Sequence, residues 1–226
     1  MNDLTELQAD VLRVEESEEG VVHLILNRPD KRNALNGALV TSLARALRAT
    51  GEDDGVRVLV LRGEGPDFCS GADLAELEEM AGKGAEASLA DAVRMGELFL
   101  DMRRHPRPIV ASVRGRALAG GCGLATACDM ILAEEGAEFG FPEVHLGFVP
   151  AMVMTLLRRK VTEGRAFELV TMGERIPAQE ARRLGLVNRV FAEGGLEEGT
   201  AEVAGAMASR PSSAIYLTKR LLYGLD

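Results

Sequence analysis

The stretch GRALAGGCGLATAC, from Gly115 to Cys128, is almost entirely small and apolar. A helix without a polar face has no place on a surface, so this composition predicts a fully buried helix over the stretch. Burying it requires layers on both sides, and short apolar runs supply them. Val21 to Asn27, Val56 to Leu61 and Ile109 to Val113 read as buried strands, with Met130 to Ala133 and Glu138 to Phe141 as shorter candidates. Helical spacing fills the intervals: Leu35, Leu39, Leu43, Ala46 and Leu47 form one stripe, and Asp73 to Met80 and Ser88 to Arg104 read as helices, the second stopped by His105-Pro106. Pro150 to Lys160, Arg165 to Met172 and Ala178 to Leu184 are also helical. Val187 to Phe191 and the helices Leu196 to Ala208 and Ser212 to Leu222 close the chain. Strand and helix alternate through the first two thirds and helices dominate the last, which makes the class α/β.

Composition narrows the function. With 46% hydrophobic and 27% charged residues in 226, the chain has the make-up of a folded globular protein. Its 26 basic and 35 acidic residues give a net charge of −9, scattered without basic blocks, which argues against nucleic acid and anionic membrane surfaces as partners. Cys69, Cys122 and Cys128 form no C-x-x-C pair, as expected of a reducing compartment and no structural zinc. The first twenty residues are polar and acidic without the pattern of a signal peptide, and no apolar run approaches the roughly twenty residues of a membrane span. The expected location is the cytoplasm.

Common catalytic motifs fail on spacing. Gly63-Glu64-Gly65 follows a strand like a dinucleotide fingerprint, but Phe68 stands where the third glycine belongs, and no phosphate-loop pattern occurs. Phe68 also occupies the first glycine position of a nucleophile elbow around Ser70, which argues against a serine hydrolase or peptidase. His23, His105 and His145 show no metal-ligand spacing and read first as structural, with only His145 close to a proposed site.

Two loop-to-helix junctions remain, Phe68 to Leu74 and Arg116 to Leu124. At each, the N–H groups of a first helical turn lack intrahelical acceptors, and glycine or alanine lets an external oxygen approach them. Two such donors converging on one point would form an oxyanion hole. A third element, Phe139-Gly140-Phe141-Pro142-Glu143, sets a carboxylate among apolar neighbours, where burial would raise its pKa and make it a proton shuttle. The same segments also read as tight turns, close helix packing and an exposed cap residue.

Taken in order, LILNRPDKRNAL (Leu24 to Leu35), VRVLVLRGEGPDFCSGADL (Val56 to Leu74), RPIVASVRGRALAGGCGLATACD (Arg107 to Asp129), FGFPEVHLGFVP (Phe139 to Pro150) and ERIPAQEARRLGLVNRV (Glu174 to Val190) resemble the enoyl-CoA hydratase/isomerase, or crotonase, family. The resemblance implies a core of repeated ββα turns over residues 1–191 and a helical C-terminal region over 192–226, assembled as a homotrimer or homohexamer. It implies an acyl-CoA thioester as substrate, with no metal and no cofactor beyond the coenzyme A that the substrate carries. On this template the catalytic residues are Glu143, as acid and base, and Ala72 and Gly120, whose N–H groups hold the thioester oxygen. Substrate binding falls to Lys31, Ala34, Ser70, Ala72, Asp73, Leu74, Gly120 and Gly121.

The chain departs from the family at two points. Hydratases of this type usually hold a water between two glutamates, whereas here Gly123 stands at the first position and only Glu143 remains. One base suffices to move a double bond from the 3,4 to the 2,3 position, so hydration of a 2-enoyl-CoA and 3,2-isomerisation both stay open. An acyl-CoA decarboxylase and a CoA-ester binding protein with a decayed site are the alternatives. Family members also continue for several tens of residues beyond a segment like Leu217 to Leu222, so lid residues are left unassigned.

Overall fold

The computed structural model describes residues 7, 9–17, 19–82 and 84–224. Its main sheet runs in the order β1 (Leu12–Glu16), β2 (Val21–Leu26), β3 (Val58–Gly63), β4 (Ile109–Val113), β6 (Met130–Glu134), β9 (Arg189–Phe191). β1 pairs antiparallel with β2, and every other neighbour is parallel. A second, small sheet joins β5 (Arg116–Leu118), β7 (Glu138–Gly140) and β8 (Arg175–Pro177).

The two layers follow from one repeated path. β4 is succeeded by β5 and then α4 (Gly120–Ala127); β6 is succeeded by β7, a 3-10 turn over Pro142–Leu146 and then α5 (Ala151–Lys160). Each turn of chain thus lays one strand in the main sheet and one in the small sheet before a helix returns it. Isolated parallel bridges at Leu35–Ala72 and Cys69–Ala117 carry the small layer back into the earlier turns. This is the ββα spiral that the resemblance implies.

Burial of the main sheet on both faces explains its near-continuous apolar strands. In β3, Leu59 and Leu61 enter the large core with α1 (Gly37–Glu52), α4 and α5, whereas Val58 and Val60 face a second cluster with Leu196, Val203, Ala204 and Ala208 of α8 (Leu196–Ala208). Helix α1 begins where the Asn36 side chain accepts the N–H of Leu39 (3.0 Å), and it buries Leu39, Leu43, Ala46 and Leu47 as its spacing predicts. The remaining helices are α2 (Leu74–Ala81), α3 (Ala85–Arg104), α6 (Glu163–Met172), α7 (Ala178–Leu184) and α9 (Ser212–Tyr223).

Several expectations need correction. Gly115 to Cys128 is not one helix: Arg116–Leu118 is strand β5, and only Gly120–Ala127 is helical. The cause is tertiary. Asp67 accepts from both the backbone N–H and the guanidinium of Arg116, and the Cys69 backbone pairs with β5, so the first residues are pulled into the small sheet. The polar start also conceals a strand, β1, in which Leu12 and Val14 point inward between polar neighbours. Strand β8 carries no apolar run of its own, because its three residues pair only as an edge on β7. The third predicted helix begins at Ala85 rather than Ser88, and the helix expected from Arg165 begins at Glu163.

Candidate active site

The parallel bridge between Leu35 and Ala72 orients the first junction. The Leu35 N–H donates to the Gly71 carbonyl (2.8 Å) and the Asp73 N–H donates to the Leu35 carbonyl (2.9 Å). A parallel ladder uses alternate residues this way, and the intervening Ala72 N–H is turned to the opposite side. Among the described residues it meets no backbone acceptor. Gly120 opens α4, where a first-position N–H has no intrahelical partner, and it too meets no acceptor outside the helix.

The two residues lie close together, since a Cβ placed on Gly120 would stand 3.9 Å from the Ala72 nitrogen. Holding them there strains the backbone. Ala119, directly before α4, has φ 50°, a region an L-residue with a Cβ enters at a cost of about 1–3 kcal/mol. Its N–H donates to the Gly140 carbonyl (2.8 Å), which fixes the helix start against the end of β7. Gly121 permits the close approach: any Cβ there would lie 2.2 Å from the Cys69 carbonyl oxygen.

Glu143 follows β7 by three residues, on the 3-10 turn. Its side chain is half-buried, and its Oε2 is fully buried without a hydrogen-bond partner among the described residues. Burial pushes its pKa above the ordinary carboxylate value. The strand before it, β7, ends at Gly140, whose carbonyl accepts the Ala119 N–H at the start of α4, and the Glu143 charge helps to raise the pKa of the Cys122 thiol on that first turn. A desolvated carboxylate next to two free N–H donors can take a proton from a carbon whose neighbouring carbonyl oxygen those donors hold.

A polar clamp behind the loops sets their positions, and sequence reasoning missed it. Asn33, fully buried at φ 54°, accepts the Arg28 N–H (2.9 Å) and donates to the carbonyls of Glu64 (2.9 Å) and Asp67 (2.8 Å). The Arg28 guanidinium donates to the Ala34 carbonyl and to Asp73 (2.8 Å). Arg116 grips Asp67 with two parallel bonds of 2.8 Å. Burial alone would raise the Asp67 pKa, but the Arg116 hydrogen bonds outweigh it and hold the carboxyl below its ordinary value. The available signal was Asn33 itself, a residue that tolerates left-handed backbone, after an Arg-Pro-Asp turn.

The remaining predicted residues gather around this frame. Lys31 is exposed at the end of the 3-10 turn Pro29–Lys31, and Ala34 is buried three residues on. The Ser70 N–H donates to the Arg32 carbonyl (3.0 Å), which brings that loop beside Ser70. Leu74 is exposed on the first turn of α2, whereas the Asp73 carboxylate is already engaged by Arg28 and by the Ala75 N–H (3.1 Å). The Arg28 hydrogen bond holds the Asp73 pKa low. His145 is not brought into the group: its Nε2 lies 3.2 Å from the Gly173 carbonyl. Burial pushes the thiols of Cys69, Cys122 and Cys128 up to about 12, leaving them unreactive. No group of three or more His, Cys, Asp or Glu among the described residues could hold a metal ion.

Gly123 sits one helical turn beyond Gly120 against an apolar wall. A Cβ there would stand 2.5 Å from Val153 Cγ2 and 3.2 Å from Phe99 Cζ. The place where a second acidic side chain would emerge is therefore filled by α5 and α3. Sequence could not reveal this, because Phe99 and Val153 lie far from Gly123 along the chain.

The profile of the enoyl-CoA hydratase/isomerase family matches residues 16–223. The 2,3-dehydroadipyl-CoA hydratase of Escherichia coli K12 is 38% identical over 206 residues, covering 91% of this chain and 79% of that protein. A crystal structure of an enoyl-CoA hydratase from Mycobacterium smegmatis superposes with a TM-score of 0.90 at 34% identity, over 96% of this chain and 83% of that one. The human enoyl-CoA hydratase domain-containing protein 3 superposes at 0.89 with 31% identity, over 95% and 83% respectively.

Proposed function

As the chain belongs to the enoyl-CoA hydratase/isomerase family, we propose that it forms and reprotonates the enolate of an acyl-CoA thioester, with Glu143 as its single acid and base. The observation that carries this reading is the presence of two N–H groups without acceptors, at the neighbouring residues Ala72 and Gly120, together with the buried, unpartnered carboxylate oxygen of Glu143. The thioester oxygen accepts from both amides. Negative charge grows on that oxygen as the enolate forms, so the two donors stabilise the transition state more than the substrate. Coenzyme A then runs along the loops of Lys31, Ala34, Ser70, Asp73 and Leu74, with Gly121 supporting the helix start. The reading requires no metal or further cofactor.

Two reactions share this enolate. In 3,2-isomerisation, Glu143 takes the C2 proton and returns it at C4, and the wall of Phe99 and Val153 at Gly123 favours this course because it leaves no room there for a second carboxylate to hold a water. In hydration, water adds at C3 of a 2-enoyl-CoA and C2 is protonated, and the relatives named as hydratases favour that course. A homotrimer or homohexamer in the cytoplasm completes the proposal, supported by exposed Leu146, Phe148 and Val149 beside Glu143, a patch suited to a subunit contact. No helix of the described residues is long and apolar enough to cross a membrane.

Parallel assays test the reading: hydration of a short 2-enoyl-CoA and isomerisation of the matching 3-enoyl-CoA, each repeated with Glu143→Gln. The expected result is turnover in at least one assay, lowered by about 10²–10⁴-fold in the variant, with CoA-ester binding retained. Undiminished turnover in Glu143→Gln, with release of CO₂ from a malonyl-type thioester, would point to a decarboxylase instead. Binding without turnover of any ester would mean a decayed site.

A further inference from the structure

A cleft lies on the far side of α3 and α5 from Gly123. Phe99 of α3 and Val153 of α5 face Gly123, whereas Leu100, Arg103 and Arg104 of α3 and Thr155, Leu156 and Arg159 of α5 line the cleft, closed by α9. Its volume is about 620 Å³. Helix α9 contributes Tyr216, Lys219, Arg220 and Tyr223.

Its charge runs against that of the chain. Acidic residues outnumber basic ones 35 to 26, yet four arginines and a lysine line this cleft and, among the described residues, no carboxylate does. Lys219 is a buried anchor: its Nζ donates to Asp129 (2.8 Å) and to the carbonyls of Met102 and Arg107 (3.1 Å each). Burial lowers the His105 pKa to about 4, so that ring adds no charge at neutral pH. The arginines carry the recognition. Arg103 stacks 3.4 Å above the Tyr223 ring, and Arg220 donates to the Tyr216 hydroxyl (3.3 Å), so aromatic rings brace two of the guanidinium groups. Arg104 and Arg220 are exposed at the cleft. Planar guanidinium groups match the oxygens of a phosphate with paired hydrogen bonds, and several of them suit more than one negative charge. Leu100 and Leu156 add an apolar wall for an organic portion.

We propose that the cleft between α3, α5 and α9 binds a phosphate ester or diphosphate group through Arg104, Arg220 and their neighbours. The assignment stands on the cleft alone and does not depend on the reaction at Glu143.

Calorimetric titration of the full chain with inorganic pyrophosphate tests it. Binding is expected for the unmodified protein, weakened at least tenfold in Arg104→Gln/Arg220→Gln and unchanged in Arg48→Gln, which removes an exposed charge on α1, a helix that contributes no residue to the cleft lining. Both cleft arginines are exposed, and circular dichroism checks that the double variant folds. The same titration with coenzyme A present separates two sources of the group. Displacement assigns it to the phosphates of coenzyme A, and undiminished binding assigns it to a separate phosphate ligand; either bears out the cleft's chemistry. Absence of pyrophosphate binding, or equal weakening by Arg48→Gln, overturns the proposal.

Discussion

Val153 occupies the space that a side chain at position 123 would need: its Cγ2 lies 2.5 Å from where a Cβ on Gly123 would stand. They belong to helices that pack against each other, α4 and α5, and α4 is held close to the Cys69 loop at Gly121, where a Cβ would lie 2.2 Å from the Cys69 carbonyl oxygen. The packing therefore leaves no room for a carboxylate side chain at position 123. Gly123→Glu alone is expected to destabilise the fold by about 1–3 kcal/mol through overpacking, and Val153→Ala in the same chain should recover part of that loss. Thermal denaturation of the single and double variants measures this; a Gly123→Glu protein as stable as the parent would contradict the contact.

Glu143 costs stability while it is ionised. Burial raises its pKa in the folded chain above the unfolded value, so folding holds the proton more tightly. The stabilising contribution of the protonated form is complete below the unfolded pKa and disappears as pH rises through the folded pKa. Glu143→Gln is therefore expected to be more stable than the parent at pH 8, with the difference vanishing near pH 4. Paired denaturation curves at the two pH values test the sign, and equal stability at both would show that the carboxylate is not desolvated.

Asp67 works in the opposite direction. Its folded pKa is held below the unfolded value by Arg116, so its contribution is present above the unfolded pKa and lost as pH falls through the folded one. Asp67→Asn should cost about 1.5–3 kcal/mol at neutral pH, the range of charge-assisted hydrogen bonds, and progressively less as the pH falls below the ordinary carboxylate value toward the folded pKa. Because β5 depends on this pair, hydrogen exchange of the Arg116–Leu118 amides should accelerate in the variant. Unaltered exchange there would separate the ion pair from strand formation.

Asn33→Ala is expected to cost about 2–4 kcal/mol, since it strips partners from the buried carbonyls of Glu64 and Asp67 and leaves an alanine at φ 54°. Loosening the loop that carries Leu35 should also raise the KM for acyl-CoA, because Leu35 aligns Ala72. A stability loss with no change in KM would confine Asn33 to a structural role.

Much of this protein was legible from its residues. The apolar runs at Val21, Val56 and Ile109 became strands of the main sheet, and the Leu39, Leu43 and Leu47 stripe became the buried face of α1, because periodic burial is a local property that a chain carries with it. The two glycine-rich junctions and the carboxylate after Phe141 were visible for the same reason: unpaired N–H donors and an apolar setting can be read over a few residues. Tertiary structure alone decided the rest. β5 was drawn out of a helix-like segment by Asp67 and Cys69, β1 was hidden in a polar start until β2 paired with it, and the wall at Gly123 came from Phe99 and Val153. The cationic cleft likewise exists only where α3, α5 and α9 meet. Pairing, space filling and charge gathering join residues distant in the chain, and no window of sequence contains both partners.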